Sequence, residues 1–154
     1  MVKPKRIGHL VLNVRDVEAS EKFYTDILGF EIAVKRPHAT FLTCGRIHHD
    51  LALFQAPNDA QEVAEGRLGL NHFAVQIEDL DELKEVYQRL KDNGVKIDRT
   101  TDHGMTGSVY FFDPDGNRVE FFYNMCDSAE EGLALMRSPE RRNSVLDLED
   151  APVA

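Results

Sequence analysis

Two histidines and one glutamate have the types and spacing that suit metal chemistry. His9 and His72 lie near the starts of two similar stretches, IGHLVLNV and LNHFAVQI, and Glu120 lies within NRVEFFYN. A carboxylate flanked by aromatic residues is costly to bury unless it is paired, protonated or bound to a cation. We therefore predict that these three side chains bind a divalent metal. There are two simpler alternatives. The histidines could form ordinary hydrogen bonds at the edge of the core, and Glu120 could form a salt bridge to Arg118.

The ligand types narrow the choice of metal only in part. Two neutral imidazoles and one carboxylate, with positions left open, are typical of non-haem Fe(II) oxygenases. Zn(II), Mn(II) and Ni(II) accept the same ligands, so neighbouring residues must decide the chemistry.

A tight hairpin predicts which side chain faces Glu120. The segment 113–117, DPDGN, has a proline at the second position of a type I turn, and a glycine follows in the left-handed position. Counting outward from this turn places Tyr110 directly opposite Glu120, about 5 Å apart at Cβ. His103, in the loop TDHG, lies next to the same end of the hairpin. Tyr110 could also be an ordinary core residue.

A pair of adjacent histidines precedes an apolar strand in RIHHDLALFQ, residues 46–55. Side chains alternate across a strand, so we expect His48 and His49 to point to opposite faces. One of the two side chains can then face water, whereas the other faces a cavity and needs a hydrogen-bond partner.

These residues sit in a weak internal repeat. In each half, a strand with a histidine near its start is followed by an aspartate seven residues later, a helix and a glycine. Asp16 and Asp79 are predicted to cap the helices, and Gly29 and Gly94 to end them. Three short strands follow each helix. The repeat occurs only twice, so coincidence is the alternative explanation.

The pattern predicts an α+β fold with two paired βαβββ modules that form a cupped mixed β-sheet around the metal. Residues 1–125 would form one domain, with module one at 5–56, a polar linker at 57–69 and module two at 70–125. Residues 126–154 form a charged tail with one or two helical turns around SAEEGLALMR. We expect this tail to be partly disordered or packed on a neighbouring subunit.

Composition excludes several classes of protein. The 154 residues carry a net charge of −9, which argues against binding to nucleic acid or an anionic membrane. No apolar run approaches the roughly 20 residues of a membrane span, and the N-terminus has no signal core, so a cytoplasmic protein is expected. Cys44 and Cys126 lack metal-type spacing and are expected to be reduced thiols.

The motifs GHLVLNV, HHDLALF, NHFAVQI, DHG and YFFDPDGNRVEFF together carry a family resemblance. From about Lys5 to Tyr123, the chain resembles the vicinal oxygen chelate superfamily, which includes glyoxalases, bleomycin-resistance proteins and dioxygenases. Within it, the chain looks most like a short, two-module type I extradiol ring-cleaving dioxygenase of the catechol 2,3-dioxygenase kind. The resemblance implies Fe(II), with Mn(II) as the alternative, a catecholic substrate, O2 and a homo-oligomer.

The same resemblance implies roles for individual residues. Iron would be bound by His9, His72 and Glu120, the same three side chains that their residue types predict as metal ligands. His49 would act near the oxygen site, while His103 and Tyr110 would lie beside the substrate oxygens.

Three other interpretations stay open, and one of them is a non-enzymatic remnant of a dioxygenase. Of the other two, the first is another metal-dependent enzyme of the superfamily, such as a glyoxalase-type isomerase or lyase. Such an enzyme uses a fourth protein ligand from the last strand of module one, near Asp50. The second is a small-molecule-binding protein without enzymatic activity.

Overall fold

The computed structural model describes residues 1–64, 66 and 68–149. The chain forms two compact units, Met1–Val63 and Ala64–Ala154, and each contains one four-stranded mixed sheet. The predicted α+β fold with two modules is therefore confirmed. Residues 65 and 67 of the predicted linker and 150–154 of the predicted tail lie outside the described residues. No helix in the described part of the chain is long and apolar enough to cross a membrane.

Module one has one short helix and a sheet in the order β1-β4-β3-β2. Strand β1 is parallel to β4, and the other neighbours are antiparallel. Helix α1 continues as a π-helical turn over Phe23–Ile27. The elements are β1 (Leu10–Val14), α1 (Val17–Lys22), β2 (Glu31–Arg36), β3 (Ala39–Thr43) and β4 (Leu51–Gln55).

Module two repeats this arrangement with a longer helix and adds a helix at its end. Its sheet has the order β5-β8-β7-β6, with β5 parallel to β8. The elements are β5 (Phe73–Gln76), α2 (Leu80–Asp92), β6 (Ile97–Asp102), β7 (Thr106–Phe112), β8 (Arg118–Asn124) and α3 (Ala129–Arg137).

The predicted helix boundaries are confirmed at both ends. The Asp16 carboxylate accepts hydrogen bonds from the backbone N–H groups of Glu18 and Ala19 at 2.9 and 3.0 Å. Asp79 caps α2 through Glu82 N at 3.0 Å. Gly29 and Gly94 follow the two helices with φ of 80° and 64°, the left-handed conformation that glycine adopts without strain.

Each module buries its own apolar core between the helix and one face of its sheet. In module two, α2 packs on β7 and β8. Burying one such large apolar side chain contributes roughly 1.5–3 kcal/mol before entropy is counted. The fully buried large side chains are Tyr24, Leu42, Leu51 and Leu53 in module one and Leu83, Leu90, Phe111 and Phe121 in module two.

The strands within each sheet pair in an equivalent register in the two modules. A β-bulge interrupts the pairing between Ile32 and Val34 in module one and between Ile97 and Arg99 in module two. Phe41 pairs with Ala52 in the first sheet, whereas Tyr110 pairs with Glu120 in the second. The predicted position of Tyr110 opposite Glu120 is therefore confirmed.

The described part of the tail packs on module two of its own chain. After α3, Ser144 forms an antiparallel bridge with Asp102 at the end of β6, and Leu148 is buried. The side chain of Leu146 comes so near Gly107 that a Cβ there would lie 3.1 Å from Leu146 Cδ2. Up to residue 149, the tail thus packs against its own module, which the sequence patterns did not predict, and contact with a neighbouring subunit stays a prediction. These hydrogen bonds and apolar contacts join residues distant in sequence, so local patterning does not reveal them.

Candidate active site

The end of the module two sheet brings a histidine and a carboxylate together. His72 directly precedes β5, and Ala74 of that strand pairs with Glu120 of β8. Side chains two residues apart share a face, so His72 points toward Glu120. His72 Nε2 lies 3.2 Å from Glu120 Oε2.

Glu120 is buried, and its two oxygen atoms have different surroundings. Oε1 accepts hydrogen bonds from Ser108 Oγ at 2.7 Å and from the Tyr110 hydroxyl at 2.9 Å. Oε2 is the oxygen that faces His72. The alternative salt bridge to Arg118 is not formed, because the Arg118 side chain pairs with Asp98 at 3.2 Å.

The hydrogen bonding of His72 suits a metal ligand. Its Nδ1 lies 2.7 Å from Asn71 Oδ1, and a carbonyl oxygen only accepts, so Nδ1 carries the proton. In a neutral ring, the lone pair of Nε2 then points at the Glu120 carboxylate. Two acceptors in this arrangement need a proton or a cation between them. The donor set therefore fits a divalent metal.

Tyr110 and His103 extend this set of contacts. The Tyr110 hydroxyl lies 2.9 Å from His103 Nε2, and the Arg99 guanidinium carbon lies 4.2 Å from the centre of the Tyr110 ring. Burial, followed by the hydrogen bond and negative charge of Glu120, raises the pKa of Tyr110 to about 12. Tyr110 therefore keeps its proton at neutral pH and can act as a donor.

Module one gathers a different group of rings. His9 precedes β1 and His49 precedes β4, and these two strands run in parallel with Leu10 opposite Leu51. The His9 and His49 ring centres are therefore close, at 4.5 Å. Phe41 packs edge-to-face against His49, and their ring centres are 5.4 Å apart.

The expectation that His48 and His49 point to opposite faces is wrong. Their Nδ1 atoms lie 2.5 Å apart, so one ring donates a hydrogen bond to the other. Strand β4 begins only at Leu51, so the alternation of a strand does not extend to the two histidines. Desolvation, followed by the nearby rings of His48 and His9, lowers the pKa of His49.

Asp50, considered above as a fourth ligand, instead organises the loop before β4. Its Oδ2 accepts hydrogen bonds from Cys44 N at 2.7 Å and Thr43 Oγ1 at 3.3 Å. The position in β4 that corresponds to Glu120 is occupied by Ala52, since Ala52 pairs with Phe41 as Glu120 pairs with Tyr110. A methyl group thus stands where a second carboxylate would be.

The predicted site residues therefore fall into two clusters, one in each module. Module two brings together His72, Glu120, Tyr110 and His103, and module one brings together His9, His48 and His49. Within residues 1–64, 66 and 68–149, no group of three or more His, Cys, Asp or Glu side chains is placed to hold a metal ion. A three-ligand metal site needs a further side chain besides His72 and Glu120.

Sequence reasoning missed four residues around the module two cluster. Ser108 lies two positions before Tyr110 on the same strand face, so strand alternation could have identified it. Asn71 is adjacent to a predicted ligand, and Arg99 follows from the register of the bulged strand pair. Asn143, whose Oδ1 is 3.1 Å from His103 Nδ1, has no local sequence signal.

Known proteins resemble this chain in both sequence and fold. Residues 6–121 match the Glyoxalase/Bleomycin resistance protein/Dioxygenase superfamily. Biphenyl-2,3-diol 1,2-dioxygenase 3 of Rhodococcus globerulus is 33% identical over 91% of this chain and 74% of its own length. Metallothiol transferase FosB of Staphylococcus saprophyticus is 36% identical over 74% of each chain.

A solved structure shows the same fold. Lactoylglutathione lyase from Agrobacterium tumefaciens superposes with a TM-score of 0.61 and 29% identity, covering 78% of this chain and 94% of that one. The chain belongs to the Glyoxalase/Bleomycin resistance protein/Dioxygenase superfamily. Its relatives include dioxygenases, a thiol transferase and a lyase, so the family alone does not define the reaction.

Proposed function

We propose that this chain is an Fe(II)-dependent extradiol dioxygenase that cleaves a catecholic ring with O2. The observation that carries the proposal is the series of contacts from His72 through Glu120 and Tyr110 to His103 in module two. In these contacts, the potential metal-binding pair of His72 and Glu120 lies beside the protonated phenol of Tyr110, which in turn contacts the His103 imidazole. The similarity to a biphenyl-2,3-diol dioxygenase supports the same reaction.

In this proposal, His9, His72 and Glu120 bind the metal. The Nε2 lone pair of His72 and the Oε2 atom of Glu120 are oriented for this role. His9 is the equivalent residue of module one, since each histidine directly precedes the first strand of its module. Ala52 at the position equivalent to Glu120 favours three protein ligands over four. Such a set leaves positions for a diol and O2, and suits Fe(II), with Mn(II) as the alternative.

Residues of module two would handle the substrate oxygens and their protons. Fe(II), when bound, would lower the pKa of a coordinated catechol hydroxyl and promote its reaction with O2. The Tyr110 hydroxyl would donate a hydrogen bond to a substrate oxygen. His103 Nε2 would receive the proton that the substrate hydroxyl gives up, directly or through Tyr110.

Residues of module one would act on the oxygen side of the substrate. His49 would donate a hydrogen bond or a proton to the reacting oxygen, and its lowered pKa favours a neutral resting ring. Phe41 packs against His49 and would restrict its orientation. His48 would assist by sharing its hydrogen bond with His49.

A glyoxalase-type lyase or a thiol transferase is the second candidate, because relatives of both kinds share the family. For a four-ligand lyase, the last strand of module one would need to supply a ligand. In this chain, Ala52 occupies the relevant position, and Asp50 is engaged by the Cys44 backbone N–H. These contacts favour the dioxygenase.

The direct test is anaerobic loading with Fe(II), followed by air and a panel of catechols that includes biphenyl-2,3-diol. We expect a yellow ring-opened product and consumption of one O2 per substrate molecule. Glu120→Ala is the matched control and should give neither. Conversion of a hemithioacetal or a thiol without O2 consumption, with every catechol unchanged, would overturn the proposal.

A further inference from the structure

The C-terminal tail brings Asn143 to the candidate site. Ser144 and Asp102 exchange backbone hydrogen bonds of 2.9 and 3.0 Å, and Thr100 Oγ1 donates to the Leu146 carbonyl at 2.7 Å. Farther along, Leu148 is buried. These contacts fix the tail against the edge strand β6, immediately next to His103.

Two further contacts hold the end of the described tail. The Glu149 carboxylate accepts a hydrogen bond from the Tyr87 hydroxyl at 2.7 Å and pairs with Lys91 Nζ at 2.9 Å. Both partners lie on α2. The tail is therefore attached to β6 and to α2, and Asn143 is held by attachments on its C-terminal side.

The side chain of Asn143 contacts the ring atom of His103 that faces away from Tyr110. Asn143 Oδ1 lies 3.1 Å from His103 Nδ1, while His103 Nε2 lies 2.9 Å from the Tyr110 hydroxyl. The guanidinium of Arg141 lies 3.5 Å from the same Oδ1 atom. Because a guanidinium only donates hydrogen bonds, this contact supports an acceptor oxygen at that position.

The orientation of Asn143 has a consequence for the His103 proton. If Oδ1 accepts from His103, Nδ1 must carry a hydrogen, and a neutral ring then has its lone pair on Nε2. That lone pair faces the Tyr110 oxygen, whose single hydrogen reaches Nε2 when it turns away from Glu120 Oε1, an atom that also accepts a hydrogen bond from Ser108. His103 is thereby prepared to receive a proton from Tyr110 or from a substrate hydroxyl near it.

We propose that Asn143 is a positioning residue that keeps the proton of neutral His103 on Nδ1 and so presents Nε2 as the proton acceptor. When a proton leaves a hydroxyl oxygen and joins Nε2, the Nδ1–H bond to Asn143 stays intact, and the amide oxygen stabilises the resulting imidazolium. No electron transfer is involved. The catalytic part of this proposal rests on the proposed dioxygenase function, but the position of the proton does not.

The test is to determine the His103 tautomer by long-range ¹H–¹⁵N NMR in the full chain purified without added metal. We expect Nδ1–H in the wild type and in Asn143→Asp, whose carboxylate retains an acceptor. Asn143→Leu removes the acceptor at similar size and should shift the ring toward Nε2–H. Ser144→Ala is the matched control, because the bridge to Asp102 uses only backbone atoms.

Activity gives the second measurement on the same variants after Fe(II) loading. Asn143→Leu should lower kcat by roughly 10–100-fold, the effect typical of losing an outer hydrogen-bond partner, with KM little changed. Asn143→Asp should restore most of kcat, and Ser144→Ala should leave it unchanged. Iron content should be equal in all of them.

The outcomes separate this inference from the proposed function. An unchanged His103 tautomer in Asn143→Leu would overturn the inference, even if the wild type cleaves catechols. Equal losses of activity in Asn143→Asp and Asn143→Leu would also overturn it, because a merely structural contact would then explain both. A tautomer shift in a chain that cleaves no catechol would support the role of Asn143 and count against the dioxygenase.

Discussion

The two modules have the same backbone plan, but their equivalent site positions carry opposite chemistry. Polar side chains on the strands of module two are replaced by apolar ones in module one, whereas the histidine before the first strand is kept in both. By register, Arg99, Ser108, Tyr110 and Glu120 correspond to Val34, Ala39, Phe41 and Ala52.

This difference gives the two modules distinct roles in the proposed reaction. In module two, Glu120 is oriented by hydrogen bonds from Ser108 and Tyr110, so a charge and its proton donors are fixed together. In module one, His49 is instead held between aromatic rings and His48. In the proposed reaction, an imidazole beside apolar surface suits O2, an apolar molecule. The two modules thus share one strand arrangement and differ in the side chains at equivalent positions.

The largest effect is expected from removing the proposed ligands. His9→Ala, His72→Ala and Glu120→Ala should each weaken Fe(II) binding by more than the roughly 10–100-fold that the loss of an outer-shell partner costs. Metal analysis after anaerobic dialysis should show about one iron per chain in the wild type. Ser108→Ala, which removes only an outer hydrogen bond to Glu120, is the comparison and should weaken Fe(II) binding by no more than roughly 10–100-fold. Unchanged iron content in two of the three ligand variants would contradict the proposed ligand set.

The paired histidines of module one provide the next test. His49→Phe should retain iron and lower kcat by roughly 10²–10⁴-fold, as expected for the loss of a positioned acid or base. His48→Phe removes one hydrogen bond to His49, so its kcat should fall by about tenfold or less. Steady-state kinetics with a fixed catechol measures both. If the two variants behave alike, His49 has no special role.

Tyr110→Phe tests the proton donor of module two while leaving the ring over which Arg99 lies. The hydroxyl contacts both Glu120 and His103, so its loss should lower kcat by roughly 10²-fold. Tyr123→Phe, on the adjacent strand, is the control and should have little effect. Full activity in Tyr110→Phe would show that module two supplies only metal ligands.

Asp50→Asn separates a structural aspartate from a metal ligand. The substitution weakens the charge-assisted bond from Cys44 N, so the free energy of unfolding should fall by about 1 kcal/mol, or about 2–4 °C in Tm. Iron content and kcat should stay near the wild-type values. Loss of both in the folded variant would support the four-ligand alternative.

The smallest effect concerns the attachment of the tail at acid pH. Hydrogen bonds from Lys91 and Tyr87 lower the pKa of Glu149 below its ordinary value of 4.5. The ionised Glu149 side chain therefore stabilises the attached tail fully above pH 4.5. This stabilisation is lost as the pH falls through the lowered pKa that Glu149 has in the folded chain. The protection of the Ser144 amide against hydrogen exchange, relative to the intrinsic rate at each pH, should fall in that range. Glu149→Gln should remove this pH dependence, whereas Glu140→Gln should preserve it.

Much of the fold was predictable because it depends on local chemistry. Caps at Asp16 and Asp79, glycines after the helices and the turn at 113–117 each act over a few residues. The turn also fixed the partner of Glu120, since a hairpin determines its own register. The start of β4 was harder to predict, because HHD continues directly into an apolar strand.

The less predictable parts of the site depend on contacts between distant residues. His103 and Asn143 are 40 residues apart, and no periodicity links them. Likewise, the correspondence of Ala52 to Glu120 becomes visible only when strand pairing and bulges are known. Sequence patterns predicted the candidate reactive side chains, whereas the three-dimensional contacts revealed the residues that touch them.

Gly107 leaves room for side chains of both the adjacent strand and the tail. A Cβ at this position would lie 2.4 Å from Tyr123 Cε1 and 3.1 Å from Leu146 Cδ2, so even alanine would displace one of them. Related chains that dock a tail in this way should therefore keep glycine at this site, together with an amide side chain at the place of Asn143. Chains that have lost the tail are free to vary at 143, whereas position 107 stays restricted by the side chain of Tyr123 on β8. Loss of the amide at 143 with glycine kept at 107 would therefore record loss of the tail across the family.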